Sequence, residues 1–171
     1  MTFHLTLTPE QICHNEVMDT QHDHLARIIN RFFRCWCRQC CRDVAKVTCG
    51  ALLEELIEET EEHFSSEDCA MIRTGYPRTD EHRRAHFDLL QEAIALFLDL
   101  REDRRQVDRG FFEHLQSWLV DHISEEDVAL GEYLSVWSAG HPGEPIPYSV
   151  AELGEEPPPI PADHPAAVEP V

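Results

Sequence analysis

Seven residues of this chain have types and spacing suited to metal chemistry: His22, His63, Glu67, His82, His86, His122 and Asp127. They fall in four strings, DTQHDHL, EEHFSSEDCAM, DEHRRAH and VDHISEED, each within a segment of helical periodicity. Imidazole and carboxylate ligate transition metals, and a helical bundle can aim one or two such groups from each helix into its interior. Five imidazoles and two carboxylates suffice for two ions, with iron the first candidate.

The pairs support this. His63 and Glu67 are four apart, as are His82 and His86, so each pair lies on one helix face, one turn apart. His122 and Asp127 are five apart, about 140° around an α-helix, and so do not share a face. They can flank one site if the aspartate reaches sideways. His22 comes alone from the first helix. A single histidine is more often a surface group or a satisfied core residue. Here, however, His63 and His82 stand on the same stripes as Leu56, Thr60 and Leu89, and a charged Glu67 on a buried stripe is costly without partners.

Two six-coordinate ions offer twelve positions. Five histidines take five, two bridging carboxylates take four, and one bridging oxygen takes two. One position stays open, provided both carboxylates bridge. A histidine-rich site with one vacancy suits binding a diatomic better than hydrolysing a large substrate.

The elements that must position these groups are helices. The periodicity predicts helices over about 19–41, 46–72, 79–103 and 107–136. Their inward residues include Leu25, Ile28, Ile29, Phe32 and Phe33 in the first, and Leu52, Leu53, Leu56 and Met71 in the second. The third carries Leu89, Leu90, Ala93 and Phe97, the fourth Phe111, Leu115, Trp118, Leu119 and Leu130. Gly75-Tyr76-Pro77 breaks the chain, and Thr79 is the expected cap of the third helix. Short connections favour antiparallel neighbours. The expected fold is all-α: an up-down-up-down four-helix bundle over residues 19–136. An N-terminal arm over 1–18 precedes it, and a Pro-rich acidic tail over 137–171 follows. That tail holds nine of the eleven prolines and no Lys or Arg, and is expected to be extended, mobile and passive.

The net charge of −19, from 33 acidic and 14 basic residues, argues against nucleic acid and anionic membranes as partners. No apolar run is long enough to span a bilayer, and the N-terminal stretch lacks a basic start and an apolar core, so the expected compartment is the cytoplasm. Seven cysteines, four of them in Cys35-Trp-Cys37-Arg-Gln-Cys40-Cys41, do not form an extracellular disulfide pattern; free thiols are expected, with a redox or second metal role as the alternative. Cys13, Cys49 and Cys69 read as structural, with Cys69 pointing away from the metals. His4, His14, His24, His114, His141 and His164 match no ligand position.

Over roughly residues 12–136 the chain resembles the hemerythrins, specifically the single-domain bacteriohemerythrins. The matching strings are D-x-Q-H-x-x-L at 19–25, H-F-x-x-E at 63–67, G-Y-P at 75–77, H-x-x-x-H at 82–86 and H-I-x-x-x-D at 122–127. The resemblance implies two non-haem iron ions with a bridging oxo or hydroxo group. His82, His86 and His122 would hold one iron, His22 and His63 the other with the open position, and Glu67 and Asp127 would bridge. It implies reversible binding of dioxygen, for storage or for delivery to an oxygen-using enzyme, by a non-enzymatic monomer. An oxygen, nitric oxide or redox sensor acting through the cysteines or tail is one alternative; a di-iron peroxidase or nitric oxide reductase is another. Ferritin-like carboxylate sites carry Glu-x-x-His motifs, and this chain has none.

Overall fold

The computed structural model describes residues 3–37 and 42–159. The fold is an all-α four-helix bundle, as expected. Its helices are α1 (Glu16–Cys37), α2 (Arg42–Thr74), α3 (Thr79–Arg101), and a fourth rod in three parts. That rod comprises α4 (Arg109–His122), a π-helical turn (Ile123–Asp127) and α5 (Val128–Gly140). A last short helix, α6, spans Val150–Leu153.

Local chemistry sets the boundaries. α1 begins earlier than the periodicity indicated because Asn15 Oδ1 accepts from the backbone N–H groups of Val17 (3.2 Å) and Met18 (3.3 Å). α2 ends at a left-handed Gly75 (φ 67°), after which the Tyr76 N–H reaches back to the Met71 carbonyl (3.0 Å). This six-residue closure is what the glycine permits. Thr79 does not cap α3. It is the first helical residue, its hydroxyl donates to the Tyr76 carbonyl (2.7 Å), and Arg78 occupies the cap. Asp108 caps α4 by accepting from Phe111 N–H (2.9 Å).

The antiparallel order divides the bundle in two. The end of α1 and the start of α4 bring together Phe32, Phe33, Trp36, Phe111 and Phe112, joined by Phe3 of the arm. Phe112 meets Phe32 and Phe33 edge-on, both at 5.0 Å between ring centroids. Each buried ring contributes about 1.5–3 kcal/mol, plus a smaller term from this geometry. The opposite end of the bundle, formed by the start of α1, the end of α2, the start of α3 and the end of α4, carries the seven polar residues.

The N-terminal arm packs on the bundle and includes a 3-10 turn over Pro9–Gln11. Asn30 of α1 clamps Leu5, accepting from its N–H (2.8 Å) and donating to its carbonyl (2.7 Å). Buried Cys13 lies on Gly131 of α5, where an added Cβ would stand 2.1 Å from the Cys13 carbonyl oxygen.

The described part of the tail departs from expectation. α5 runs on to Gly140, and the following chain folds back onto the bundle. Tyr148 Oη accepts from Asn15 Nδ2 (2.6 Å), Pro147 is buried, and α6 packs on α2. Ser149 and Glu152 cap α6 at its start, and Glu152 accepts from Tyr148 N–H (2.8 Å). Proline stops long helices but does not prevent short capped turns from docking. Residues 160–171, and Cys40 and Cys41 of the cysteine cluster, lie outside the described residues.

Candidate metal centre

All seven sequence-predicted residues are buried, and the structure brings them into one cluster. His22 projects from α1, His63 and Glu67 from α2, His82 and His86 from α3, and His122 and Asp127 from the two ends of the π-turn. Their donor atoms form two sets, each lying within 4.8 Å. One set is His82, His86 and His122 with Glu67 and Asp127; the other is His22 and His63 with the same two carboxylates.

Each carboxylate is split between the sets. Asp127 Oδ1 lies 3.1 Å from both His82 Nε2 and His122 Nε2, while Oδ2 lies 3.1 Å from His22 Nε2. Glu67 Oε2 lies 3.1 Å from His86 Nε2 and 3.5 Å from His82 Nε2, while Oε1 lies 3.7 Å from His63 Nε2. One oxygen toward each group of imidazoles is the arrangement two bridging carboxylates require.

The π-turn corrects one expectation. His122 and Asp127 were read as lying on different faces of an α-helix. The wider turn, closed by Val128 N–H on the Ile123 carbonyl, carries Asp127 round to face His122. Such turns are single-residue insertions into α-helices and concentrate at functional sites.

The atoms fit cations better than they fit one another. Glu67 Oε1, His82 Nε2, His122 Nε2 and both oxygens of Asp127 are buried and meet other groups of the cluster as ion-pair contacts rather than as aligned hydrogen bonds. Leaving such groups unmatched costs about 1–3 kcal/mol each, and more for a charge. Imidazole nitrogen and carboxylate oxygen each bind a transition metal at about 2.0–2.2 Å, so a nitrogen and an oxygen at right angles around one ion stand about 3 Å apart. The repeated 3.1 Å separations match that spacing.

Electrostatics without an ion point the same way. Burial and Asp127 push the Glu67 carboxyl upward, but His63, His82 and His86 outweigh them and hold it well below its usual value. Asp127 is also held low: burial opposes ionisation, and His122, His22 and His63 overcome it. Burial disfavours a charged His82, yet Asp127 and Glu67 raise it to about 10. The same balance raises His22, whereas burial dominates at His63 and lowers it. The carboxylates thus favour positive charge on His22 and His82, the charge that cations would supply.

Surrounding groups set the ring orientations. His63 Nδ1 donates to Gln21 Oε1 (3.1 Å), and His86 Nδ1 donates to Asp68 Oδ1 (3.1 Å), leaving each Nε2 turned to the cluster. Phe64 stacks on His86 with centroids 3.9 Å apart. The sequence reading gives Asp68 no role and Gln21 only a place in D-x-Q-H-x-x-L, although each is the immediate neighbour of a ligand candidate. A third group, Cys13, Asp19 and His22, has a structural explanation, because Asp19 accepts from the backbone N–H groups of Cys13 (2.8 Å) and Asn15 (3.2 Å). Cys69 is buried and belongs to neither set. His4, His24 and His141 are exposed, and His114 faces Glu92 (3.1 Å).

Beside His63 and His122 lies an apolar pocket lined by Leu25, Phe64, Leu89, Trp118 and Leu119. It encloses about 10 Å³ of free space, roughly what one water-sized molecule needs. Thr60 also lines it, but its hydroxyl donates to the Leu56 carbonyl (2.7 Å).

Comparison with known proteins bears on the family and the fold. Myohemerythrin of Sipunculus nudus is 33% identical over 78 residues, an alignment spanning 46% of this chain and 59% of that relative. Bacteriohemerythrin of Stenotrophomonas maltophilia is 22% identical over 117 residues, spanning 68% of this chain and 72% of the relative. A crystal structure of wild-type hemerythrin superposes with a TM-score of 0.68 at 23% identity, covering 77% of this chain and 98% of its own. The model of the hemerythrin HHE cation binding domain matches residues 13–134, and the chain belongs to that family.

Proposed function

We propose that His22, His63, Glu67, His82, His86, His122 and Asp127 hold two non-haem iron ions, bridged by an oxo or hydroxo group, and that the chain binds dioxygen reversibly. Iron bound there supplies an open coordination position and the electrons that oxygen binding draws on. The protein supplies the rest. Asp127 and Glu67 present one oxygen to each imidazole set. Gln21 and Asp68 fix two of the rings.

The observation that carries the reading is the small apolar pocket that reaches the cluster between His63 of one set and His122 of the other. A pocket of this size admits a diatomic and excludes larger substrates. Its only hydroxyl among the lining residues is turned to a backbone carbonyl, so no side chain there is free to protonate bound oxygen. This favours binding and release over peroxidase or nitric oxide reductase turnover. Oxygen storage, or delivery to an oxygen-using enzyme, by a cytoplasmic monomer is the role we infer. In support, no helix among the described residues is long and apolar enough to cross a membrane.

The test is gas exchange on the reduced, iron-loaded protein. Air should produce a new visible absorption that fades under argon and returns with air over repeated cycles. Immediate, irreversible oxidation on first exposure contradicts the proposal.

A further inference from the structure

His86 is gripped on both ring nitrogens by consecutive residues of α2. Nε2 lies 3.1 Å from Glu67 Oε2, and Nδ1 donates to Asp68 Oδ1 at 3.1 Å. The other oxygen of Asp68 accepts from Arg83 Nε at 2.7 Å. Arg83 precedes His86 by three residues on α3 and so shares its face. It is buried, only 5% exposed, and its terminal nitrogen donates to the Pro158 carbonyl at 2.6 Å. An unbroken path of contacts therefore runs from the C-terminal segment through Arg83 and Asp68 to a ring in the metal cluster.

We propose that Asp68 is a positioning residue for His86, and that the segment after α6 supports the metal centre by holding Arg83 against Asp68. The inference rests on the ligand assignment above and deepens it.

The chemistry of each link is specific. Donation from Nδ1 to a carboxylate fixes the imidazole tautomer and orientation and makes Nε2 a stronger ligand. Asp68 can do this only if its own position is fixed, and the planar guanidinium of Arg83 fixes it with a short charge-assisted bond. A buried guanidinium must in turn have its remaining N–H groups matched. Residues Pro157, Pro158 and Pro159 suit that need, because proline backbone donates nothing and leaves its carbonyls free to accept. The docking of Tyr148 and α6 brings this segment back to the bundle.

The experiment uses the full-length iron-loaded protein, an Asp68→Ala variant, a chain ending at Glu156, and the combination of the two. Anaerobic iron release into a ferrous chelator is timed, and the shifted N–H proton resonances of the ligand imidazoles are recorded by NMR in the reduced state. Asp68→Ala should hasten iron release about 10- to 100-fold and remove the slowly exchanging His86 Nδ1–H signal. The shortened chain should hasten release by less and make the same signal exchange faster. Combining the two should be no faster than Asp68→Ala alone, because both act along one path. A shortened chain that releases iron at the full-length rate with an unaltered His86 signal overturns the proposal, as do effects of the two changes that multiply. Full-length protein that takes up no iron overturns the ligand assignment instead.

Discussion

Asp127 Oδ1 stands 3.1 Å from His122 Nε2 across five residues of chain, because Ile123–Asp127 make one π-turn. The turn places a carboxylate where it meets both imidazole sets at once. Asp127 and Glu67 touch both sets, whereas each histidine touches one. The two kinds of ligand should therefore fail differently. Asp127→Ala or Glu67→Ala should leave well under one iron per chain, against about two in the unaltered protein; His22→Ala should leave close to one. His82→Ala should also fall well below two. Metal analysis by plasma emission checks the pattern, and near-normal iron in a bridging variant contradicts it.

Much of this was legible in the sequence, and the exceptions have physical causes. The apolar stripes of all four helices and the pairs His63/Glu67 and His82/His86 follow from a period near 3.6, which the sequence displays directly. The His122/Asp127 relationship does not, because that period places them about 140° apart and a π-turn breaks it. Asp127 was legible as a carboxylate near His122 that had to reach sideways, but not as one that faces it. The docked tail was hidden by its composition, which suggests disorder when prolines are counted without the capped Ser149–Glu152 turn and Tyr148 beside them. The roles of Asp68 and Gln21 were not legible, although Gln21 is part of the D-x-Q-H-x-x-L string, because sequence spacing does not show which residue acts through its neighbour.

The pocket makes a separate prediction. Leu25 is almost fully buried and lines it beside His63. Leu25→Ala should cost about 2–5 kcal/mol of stability and open space for water. The oxygenated form should then decay to the oxidised form faster than in the unaltered chain, as followed by its visible absorption. An unchanged decay rate would show that the pocket does not protect bound oxygen.

Protons and metal compete for the cluster, and the shifts fix the sign. His82 rises from 6.5 to about 10 in the metal-free fold, so its proton stabilises the fold fully below pH 6.5. That contribution is lost as pH climbs toward 10, and the raised His22 acts in the same direction. His63 is lowered from 6.5, so its contribution is lost as pH falls below that value. Glu67 and Asp127, lowered from 4.5 and 3.8, add stability that disappears only in stronger acid. Thermal melting of the metal-free protein should thus peak near pH 6.5 and decline on both sides. Loading with metal at pH 7 should release protons and remove the alkaline decline, because metal replaces the proton on His82.

The arm is tied down at two points whose loss should be visible. Gly131→Ala drives a methyl group against the Cys13 backbone, and lifting the arm to relieve it should cost about 1–3 kcal/mol. Asn30→Ala strands the buried N–H and carbonyl of Leu5, at about 1–3 kcal/mol for each. Denaturant melts measure both. Cys13 lies 3.9 Å from His22 Nδ1, so Gly131→Ala should also weaken iron retention, whereas Asn30→Ala, at the other end of the arm, should not.

Whether seven side chains divide between two irons can be seen in an anomalous-scattering map of iron-loaded crystals at the iron edge. Two strong peaks are expected, one enclosed by His82, His86 and His122 and one by His22 and His63, with Glu67 and Asp127 touching both. A single peak, or iron seated on other residues, would contradict it.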